Sequence, residues 1–449
     1  MASPESGKGF SEYDAVNATT HDPTYTPLEE ELSRPSGKPR ILLLIATRSY
    51  RTADLMEAAV GLDCEVTVGS DAPTALAGLQ PGATVTLPLD DPDATARAIA
   101  GLHAHYPLRA VVGLDDDTVV AAAAACEILH LRGNPVAAVQ AARDKARTRA
   151  LLTEAGLVQP PFFLVENGAD LAAAAARAPY PCVVKPLSLG GSRGVIRADD
   201  PAAFVAAAER VRAILATETE AAARLRPTPD RRLLVEGFLP GREVALEGLL
   251  SRGTLHPLAL FDKPDPLDGP YFEETLYVTP SRLPVPVQRE IVTTTGRALD
   301  ALGLREGPIH AELRIGDTGC AVVEIAPRTI GGLCSRTLRF GAGIRLEELV
   351  LRHALGEGVA GIAREELPAG VMMLPIPRAG RLHAVRGQAA ARRVAGVVEL
   401  TITIPRGQQV VPLPEGDRYL GFLFARGPTP AAVEESLRAA HGRLQLDIR

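Results

Sequence analysis

Pro181-Cys182-Val183-Val184-Lys185-Pro186-Leu187-Ser188-Leu189-Gly190-Gly191-Ser192-Arg193-Gly194 joins a short apolar run, a lysine near its end and a glycine-rich connection. The run predicts a buried strand that Pro186 brings to a close. The loop offers backbone N–H groups to an anion, and Lys185 adds a point charge beside them. That is the outline of a phosphate cradle; the plain alternative is a flexible turn. It is neither G-x-x-x-x-G-K-[ST] nor a G-x-G-x-x-G following the first strand. Lysine is scarce here. Of 48 basic residues only Lys8, Lys38, Lys145, Lys185 and Lys263 are lysine. In a chain so rich in Ala, Gly, Pro and Arg, a retained lysine marks a place where a compact ammonium is needed and a guanidinium will not serve.

Two acids further on bear on the same chemistry. Ile309-His310-Ala311-Glu312-Leu313-Arg314-Ile315 and Ala321-Val322-Val323-Glu324-Ile325 read as antiparallel strands joined by Gly316-Asp317-Thr318-Gly319. The spacing sets Glu312 nearly opposite Glu324, and both alternate with apolar residues, so both can face one side. Opposed like charges destabilise a sheet. A divalent cation would relieve that, and Mg²⁺ prefers carboxylate oxygen together with phosphate. A solvated face carrying two acids is the alternative. Asp115-Asp116-Asp117 invites a metal reading as well, but Asp117 as the cap of the Ala-rich helix behind it is the simpler account.

Outward from this centre, strands at Ile41–Ile45, Glu65–Val68, Val85–Leu87 and Ala110–Leu114 alternate with helices at Ala53–Gly61 and Ala94–His105. Alternation of this kind predicts a parallel, doubly wound α/β domain, placed at 40–142. A helix over Ala137–Ala155, strands at 181–186, 233–236 and 243–249, a Pro-rich irregular loop at 264–286 and a helix at 287–302 make up the next stretch of helices and strands, placed at 143–357. Residues 358–449, short strands broken by Gly and Pro before a helix at Ala431–His441, read as an α+β cap. Residues 1–39 are polar and aperiodic, which predicts a disordered arm.

At roughly 150 residues per domain, 449 residues fit about three. A net charge of −6 excludes a general nucleic-acid or anionic-membrane binder. No apolar run approaches the ~20 residues of a membrane span, and the first residues carry no secretory pattern. Five scattered cysteines argue against a disulfide framework or a structural zinc site. A cytoplasmic location is expected.

Lys145, Lys185 with its loop, Val235-Glu236-Gly237-Phe238-Leu239-Pro240-Gly241-Arg242-Glu243, Glu312 and Glu324-Ile325-Ala326-Pro327-Arg328 stand in the order and at the spacings of the ATP-grasp superfamily, which the chain resembles over about 40–355. Asp262-Lys263-Pro264, Gly269-Pro270-Tyr271-Phe272-Glu273-Glu274 and residues 360–449 are similar to one branch, the L-amino acid ligases. The resemblance implies an ATP-dependent ligase whose ATP-grasp domain, 143–357, is built of two α+β subdomains with a mobile lid at about 185–235. It would activate an amino acid carboxylate as an acyl phosphate and join it to the amine of a second amino acid. ATP and Mg²⁺ (or Mn²⁺) are the implied cofactors, and small amino acids the partners, with no nucleic acid or membrane; a homodimer is left open. A biotin-carboxylase-like or purine-pathway enzyme of the same superfamily is the alternative. A nucleotide-binding regulator with a degenerate site is a third, against which the retained Lys, Glu and Arg set argues.

Residue by residue, the resemblance implies that Lys145 and Lys185 bind the ATP phosphates. Ser188, Gly190, Gly191, Ser192 and Gly194 form the loop closing over them. Glu236 and Phe238 lie at the adenine, and Glu243 accepts from the ribose hydroxyls. Glu312 and Glu324 hold Mg²⁺. Many members carry a ligating Asn where this chain has Ala326, so Glu274 is nominated as a further ligand. Arg328 steadies the acyl phosphate and the tetrahedral intermediate through its planar fork. His310, as an aid to the nucleophile, and Arg336, at a substrate carboxylate, are nominated against plainer readings as a packed histidine and a surface charge. Cys334 has no partner base in view, and Lys263 reads as a loop ion pair.

Overall fold

The computed structural model describes residues 37–46, 49, 51–73, 82–217, 230–341, 343–359 and 361–449. Residues 1–36 of the expected arm and 218–229 of the expected lid lie outside them. Lys38–Arg449 forms one compact unit.

The first strands and helices are β1 (Arg40–Leu44), α1 (Thr52–Val60), β2 (Glu65–Ser70), β3 (Thr84–Thr86), α2 (Pro92–His105) and β4 (Leu108–Gly113). They build a parallel sheet in the order β3-β2-β1-β4. Ile41 and Leu43 pack with Leu55 and Ala58 of α1 on one face, while Leu42 and Leu44 pack with Ala96 and Ile99 of α2 on the other. Burial on both faces is why β1 is a continuous apolar run rather than an alternating one. The strand order reverses between β1 and β4, so a crevice opens at their carboxyl ends. Arg51 and Asp115–Asp117 stand there.

Next come α3 (Val119–Ile128), α4 (Val136–Arg143) and α5 (Lys145–Glu154). Two corrections apply. Thr118, not Asp117, occupies the N-cap position of α3. The single helix expected over 137–155 is two, because Asp144 turns extended and accepts from the N–H groups of Ala146 and Arg147 at 2.9 and 3.0 Å. The break puts Lys145 on the first turn of α5 rather than in the middle of a long helix.

β5 (Phe162–Val165), α6 (Leu171–Ala175), β6 (Cys182–Pro186), β7 (Ile196–Ala198), α7 (Pro201–Ala216) and β8 (Leu233–Gly237) follow. Their strands form an antiparallel sheet, β5-β8-β6-β7, with Phe204 and Val211 of α7 buried against it. β9 (Arg242–Ser251), β10 (Thr254–Asp262), β11 (Leu276–Thr279), α8 (Val285–Leu302), β12 (Gly307–Gly316) and β13 (Gly319–Ala326) open a larger sheet. The Pro-rich segment expected to be loop throughout thus contains β11. Its Leu-Tyr-Val-Thr sequence is fully buried and suits a strand.

After β14 (Arg339–Phe340), β15 (Ile344–Arg345) and α9 (Leu346–Ala354) come β16 (Ala369–Leu374), β17 (Gly380–Arg386), α10 (Gln388–Arg392), β18 (Val397–Ile402), β19 (Gln409–Val410), β20 (Gly421–Arg426), α11 (Pro430–His441) and β21 (Gln445–Ile448). β16, β20 and β18 do not form a sheet of their own. They extend the larger one to eight antiparallel strands, β13-β12-β9-β10-β11-β16-β20-β18. β17, β19 and β21 form a separate three-stranded sheet.

Asp144 is the local residue on which the position of Lys145 depends. Asp144→Ala is expected to cost about 1 kcal/mol, the usual worth of such a cap. A lowered midpoint in urea unfolding would show it.

Candidate active site

Lys185 lies at the end of β6, buried, with Nζ 2.7 Å from the carboxylate of Glu236 on β8. Lys185 pairs with Leu234 and Glu236 with Val183, so the two stand two residues out of register, on the same face of the sheet. Glu236 also takes Nε of Arg149 at 2.6 Å. Burial would raise the Glu236 carboxyl, but Arg149 and Lys185 hold it down at about 2. Burial lowers the Lys185 ammonium, and the pull of Glu236 only partly offsets it. Arg149 was not foreseen. It stands four residues after Lys145 on α5, one helical turn along the same face. Its other nitrogens donate to the carbonyls of Val322 and Val323 on β13 at 2.8 and 2.9 Å.

Those carbonyls sit at a bulge. Glu312 pairs directly with Glu324 across β12 and β13, but Leu313 pairs with Val322, so Val323 is the extra residue. The sequence reading thus places the two acids correctly, and the bulge sets their register. Glu324 lies 3.6 Å from Nζ of Lys145, which also donates to the carbonyl of Leu189 in the glycine-rich loop at 3.0 Å. One cavity is lined by Lys145, Arg149, Lys185, Ser192, Glu236, Phe238, Glu243, Glu274, Glu312 and Glu324. Phe238 packs its ring between the guanidinium groups of Arg197 and Arg314, 4.4 and 5.1 Å from their carbons. Its own N–H already donates to Pro181 at 2.8 Å.

Lys263 corrects the sequence reading. It is not a loop ion pair but a buried ammonium at the junction of three acids. It lies 2.7 Å from Glu243, 3.2 Å from Glu312 and in contact with Glu274. Despite burial, these three hold its pKa well above the ordinary lysine value. Its scarcity as a lysine was the available signal. Glu243 also accepts from Nε of Arg314 at 2.8 Å. Ligand oxygens of Glu243, Glu274 and Glu312 lie within 4.8 Å of one another. Hard carboxylate oxygens gathered about a cation fit Mg²⁺ or Mn²⁺. Burial and the charge of Glu312 raise Glu274 to about 7 although Lys263 opposes them.

Four nominees lie outside both cavities. His310 lines neither of the cavities described here. Its Nδ1 meets Glu247 and its Nε2 meets Glu312 at 3.1 Å, so neither ring nitrogen is left for a substrate. Burial would lower it, but Glu247 and Glu312 raise it to about 9, and it is a cation at neutral pH. Arg336 is held by Asp54 at 2.9 and 3.0 Å and by Glu399. Cys334 is buried, and burial pushes its thiol far up. Ser188 and Gly194 also line neither cavity, whereas Leu189 to Arg193 between them do.

The second cavity, of about 500 Å³, lies at the crevice beyond β1 and β4. Arg51, Asp115–Asp117, Gly190, Gly191, Arg328 and Arg418 are among its walls. Arg328 donates twice to Asp116, at 2.8 and 2.9 Å, and Arg143 reaches the same carboxylate at 3.1 Å. Burial opposes ionisation of Asp116, yet the two guanidinium groups drive its pKa far below the carboxylate range. The aspartate run is thus the clamp that orients Arg328. Among the described residues the carboxylate cluster suited to a metal is the one around Lys263. Leu189 lines both cavities; beside it, a Cβ on Gly190 would sit 3.3 Å from Asp116.

Comparison with known proteins bears on this arrangement. The ATP-grasp domain family matches residues 178–337, the ATP-grasp N-terminal domain 56–133, and the L-amino acid ligase C-terminal domain 2 matches 372–449. The crystal structure of an L-amino acid ligase from Bacillus licheniformis superposes with a TM-score of 0.77 at 26% identity, covering 92% of this chain and 99% of that one. The chain thus carries matches to ATP-grasp domains and is similar to the L-amino acid ligases in fold and in its C-terminal segment. Alanine–anticapsin ligase of Bacillus amyloliquefaciens is 29% identical to it over 242 residues, 51% of this chain and 50% of that protein. Carnosine synthase 1 of Gallus gallus is 32% identical over 270 residues, 58% and 29% respectively. The ATP-grasp chain therefore aligns with about half the length, or less, of these curated relatives. Among its described residues no helix is long and apolar enough to cross a membrane.

A pH dependence follows from Glu274. Its carboxyl is raised from 4.5 to about 7 in the fold, so the folded chain keeps a proton that the unfolded chain has released. Stability from this group is present below about pH 4.5 and lost as pH rises to about 7. Glu274→Gln is expected to flatten that part of the curve of urea midpoint against pH in metal-free protein.

Proposed function

We propose that this chain is an ATP-dependent carbon–nitrogen ligase that activates the carboxylate of one amino acid as an acyl phosphate and joins it to the amine of a second. The observation that carries this reading is the convergence on one cavity of Lys145, Lys185, the glycine-rich loop and the Glu312–Glu324 pair, with Arg328 opening onto a second cavity that shares Leu189 of that loop. ATP would occupy the first cavity, with its base near Phe238 and Glu236. Its ribose would add hydroxyl donors to Glu243. The amino acids would meet in the second. Glu312 and Glu274, two of the three carboxylates that gather around Lys263, would hold Mg²⁺ or Mn²⁺ together with Glu324, which lies outside that cluster but across from Glu312 on β13; the ion when bound neutralises phosphate charge. The domain limits at 142 and 357 and a cytoplasmic site of action belong to the same proposal.

A carboxylate oxygen of the first substrate attacks the γ-phosphorus, and the bond to the bridging oxygen breaks to release ADP. Positioning and charge neutralisation by Lys145 and Lys185 supply most of what phosphoryl transfer requires. The amine of the second substrate then attacks the acyl carbon, loses a proton, and phosphate leaves. Arg328 faces the charge that develops on the acyl oxygen, and the Asp116 clamp fixes its fork in advance, so little reorganisation is needed. Alanine–anticapsin ligase and the L-amino acid ligase of known structure support an amino acid as substrate by their names.

The test is ADP release across pairwise amino acid mixtures with product masses read out. Wild-type protein is expected to yield a dipeptide with at least one pair. Lys185→Ala is expected to stay folded by circular dichroism and lose turnover by more than 100-fold; retained phosphate release would remove the ATP assignment.

Arg328 separates chemistry from binding. Arg328→Lys keeps the charge and loses the fork. Product formation is expected to fall on the order of 10²–10³-fold, with ATP affinity by calorimetry little changed. Near-wild-type ligation by both Arg328→Lys and Arg328→Ala would leave the residue only a structural role.

A further inference from the structure

Between β19 and β20 the chain makes a tight turn that reaches the glycine-rich loop. The N–H of Gly194 donates to the carbonyl of Pro414 at 2.9 Å, and Nε of Arg193 donates to the carbonyl of Glu415 at 2.9 Å. The Glu415 side chain grips Arg210 of α7 in a two-point pair, 2.6 and 3.0 Å, and Arg210 also meets the hydroxyl of Tyr271. The same turn continues into Asp417 and Arg418, which line the second cavity opposite Gly190, Gly191 and Arg328. Its shape is constrained. Gly416 donates to Pro412 at 2.8 Å, and a Cβ on Gly416 would stand 2.0 Å from the carbonyl of Val411. A single turn from the C-terminal segment therefore touches the phosphate loop, the helix behind it and the substrate cavity.

We propose that the Pro412–Arg418 turn is a positioning element that holds the glycine-rich loop closed over the first cavity while Asp417 and Arg418 contact the amine-bearing substrate in the second. This rests on the ligase reading above. Two-point ion pairing gives the geometric definition that a lone surface charge pair lacks. Its chemical purpose is the exclusion of water from the acyl phosphate. When the loop is loose, the oxygen of water attacks the acyl carbon and the bond from that carbon to the phosphate oxygen breaks. The free carboxylic acid and phosphate leave, with the protons of water shared between them. ATP is then consumed with no amide formed.

Two measurements on the full chain decide the matter. In amide hydrogen exchange without added ligand, the segment 188–195 is expected to exchange at least threefold faster in Glu415→Ala and in Arg210→Ala, with β9 to β12 unchanged. The double variant should be no faster than either single one, because the two side chains act as a unit. Acceleration below threefold in both single variants would overturn the proposal. With an active amino acid pair, the ratio of ADP to amide is expected to rise at least threefold in the same variants. Faster exchange with an unchanged ratio would overturn the role in excluding water. If no amino acid pair gives ADP with wild-type protein, the ligase reading falls, while the exchange experiment still decides whether the turn holds the loop.

Discussion

Glu312 sits within bonding reach of both Lys263 and His310, and neither cation reaches open solvent. A carboxylate so placed is tolerable only because its charge is answered within a few ångströms. Removing an ion from water costs several kcal/mol before any partner is found. The constraint recurs around the site. Glu236 is answered by Lys185 and Arg149, Glu243 by Lys263 and Arg314, Glu247 by His310 and the N–H of Ile330, and Asp116 by Arg328 and Arg143. The answers come from α4, α5, β6 and β12 and from the loops at Lys263 and 328–330. The elements are therefore placed by charge as well as by apolar packing, and the charged groups that line the two cavities are held in place by one another.

These pairs run in chains. Ile330 ties to Glu247, Glu247 to His310, His310 to Glu312, and Glu312 to Lys263, which gathers Glu243 and Glu274. The backbone beside Arg328 is thereby linked to the acidic cluster without passing through solvent. The bulge at Val323 contributes to the same order, since it lets Glu312 and Glu324 share one register while Arg149 satisfies the displaced carbonyls.

Local pattern carried a good part of this in the sequence. The apolar runs, the glycine-rich loop after Lys185 and the hairpin bearing Glu312 and Glu324 are short-range features, and periodicity reports such features well. The partners of these residues were not legible. Arg149 and Glu236 are 87 positions apart, Arg328 and Asp116 212 apart, and nothing local marks such pairs. The break at Asp144 was hidden because the flanking residues are good helix formers, and a capping aspartate is easily read as a surface charge. β11 was lost among prolines. Lys263 is the instructive case: scarcity of lysine pointed to it, but the surrounding loop-like sequence pointed away.

The eight-stranded sheet crosses from the ATP-grasp region into the C-terminal segment through the pairing of β11 with β16, Leu276 against Met372 through Thr279 against Ala369. A seam made of backbone hydrogen bonds is not a seam along which proteins separate easily. Cutting the chain before β16 would leave β11 as a raw strand edge, open to pairing with any other extended segment. Recombination between relatives is restricted for the same reason. A foreign C-terminal segment can be grafted only if it brings a strand that enters in this register. The portion of the chain that lines the second cavity through Asp417 and Arg418 is thus joined, strand to strand, to the sheet whose β12 and β13 line the first.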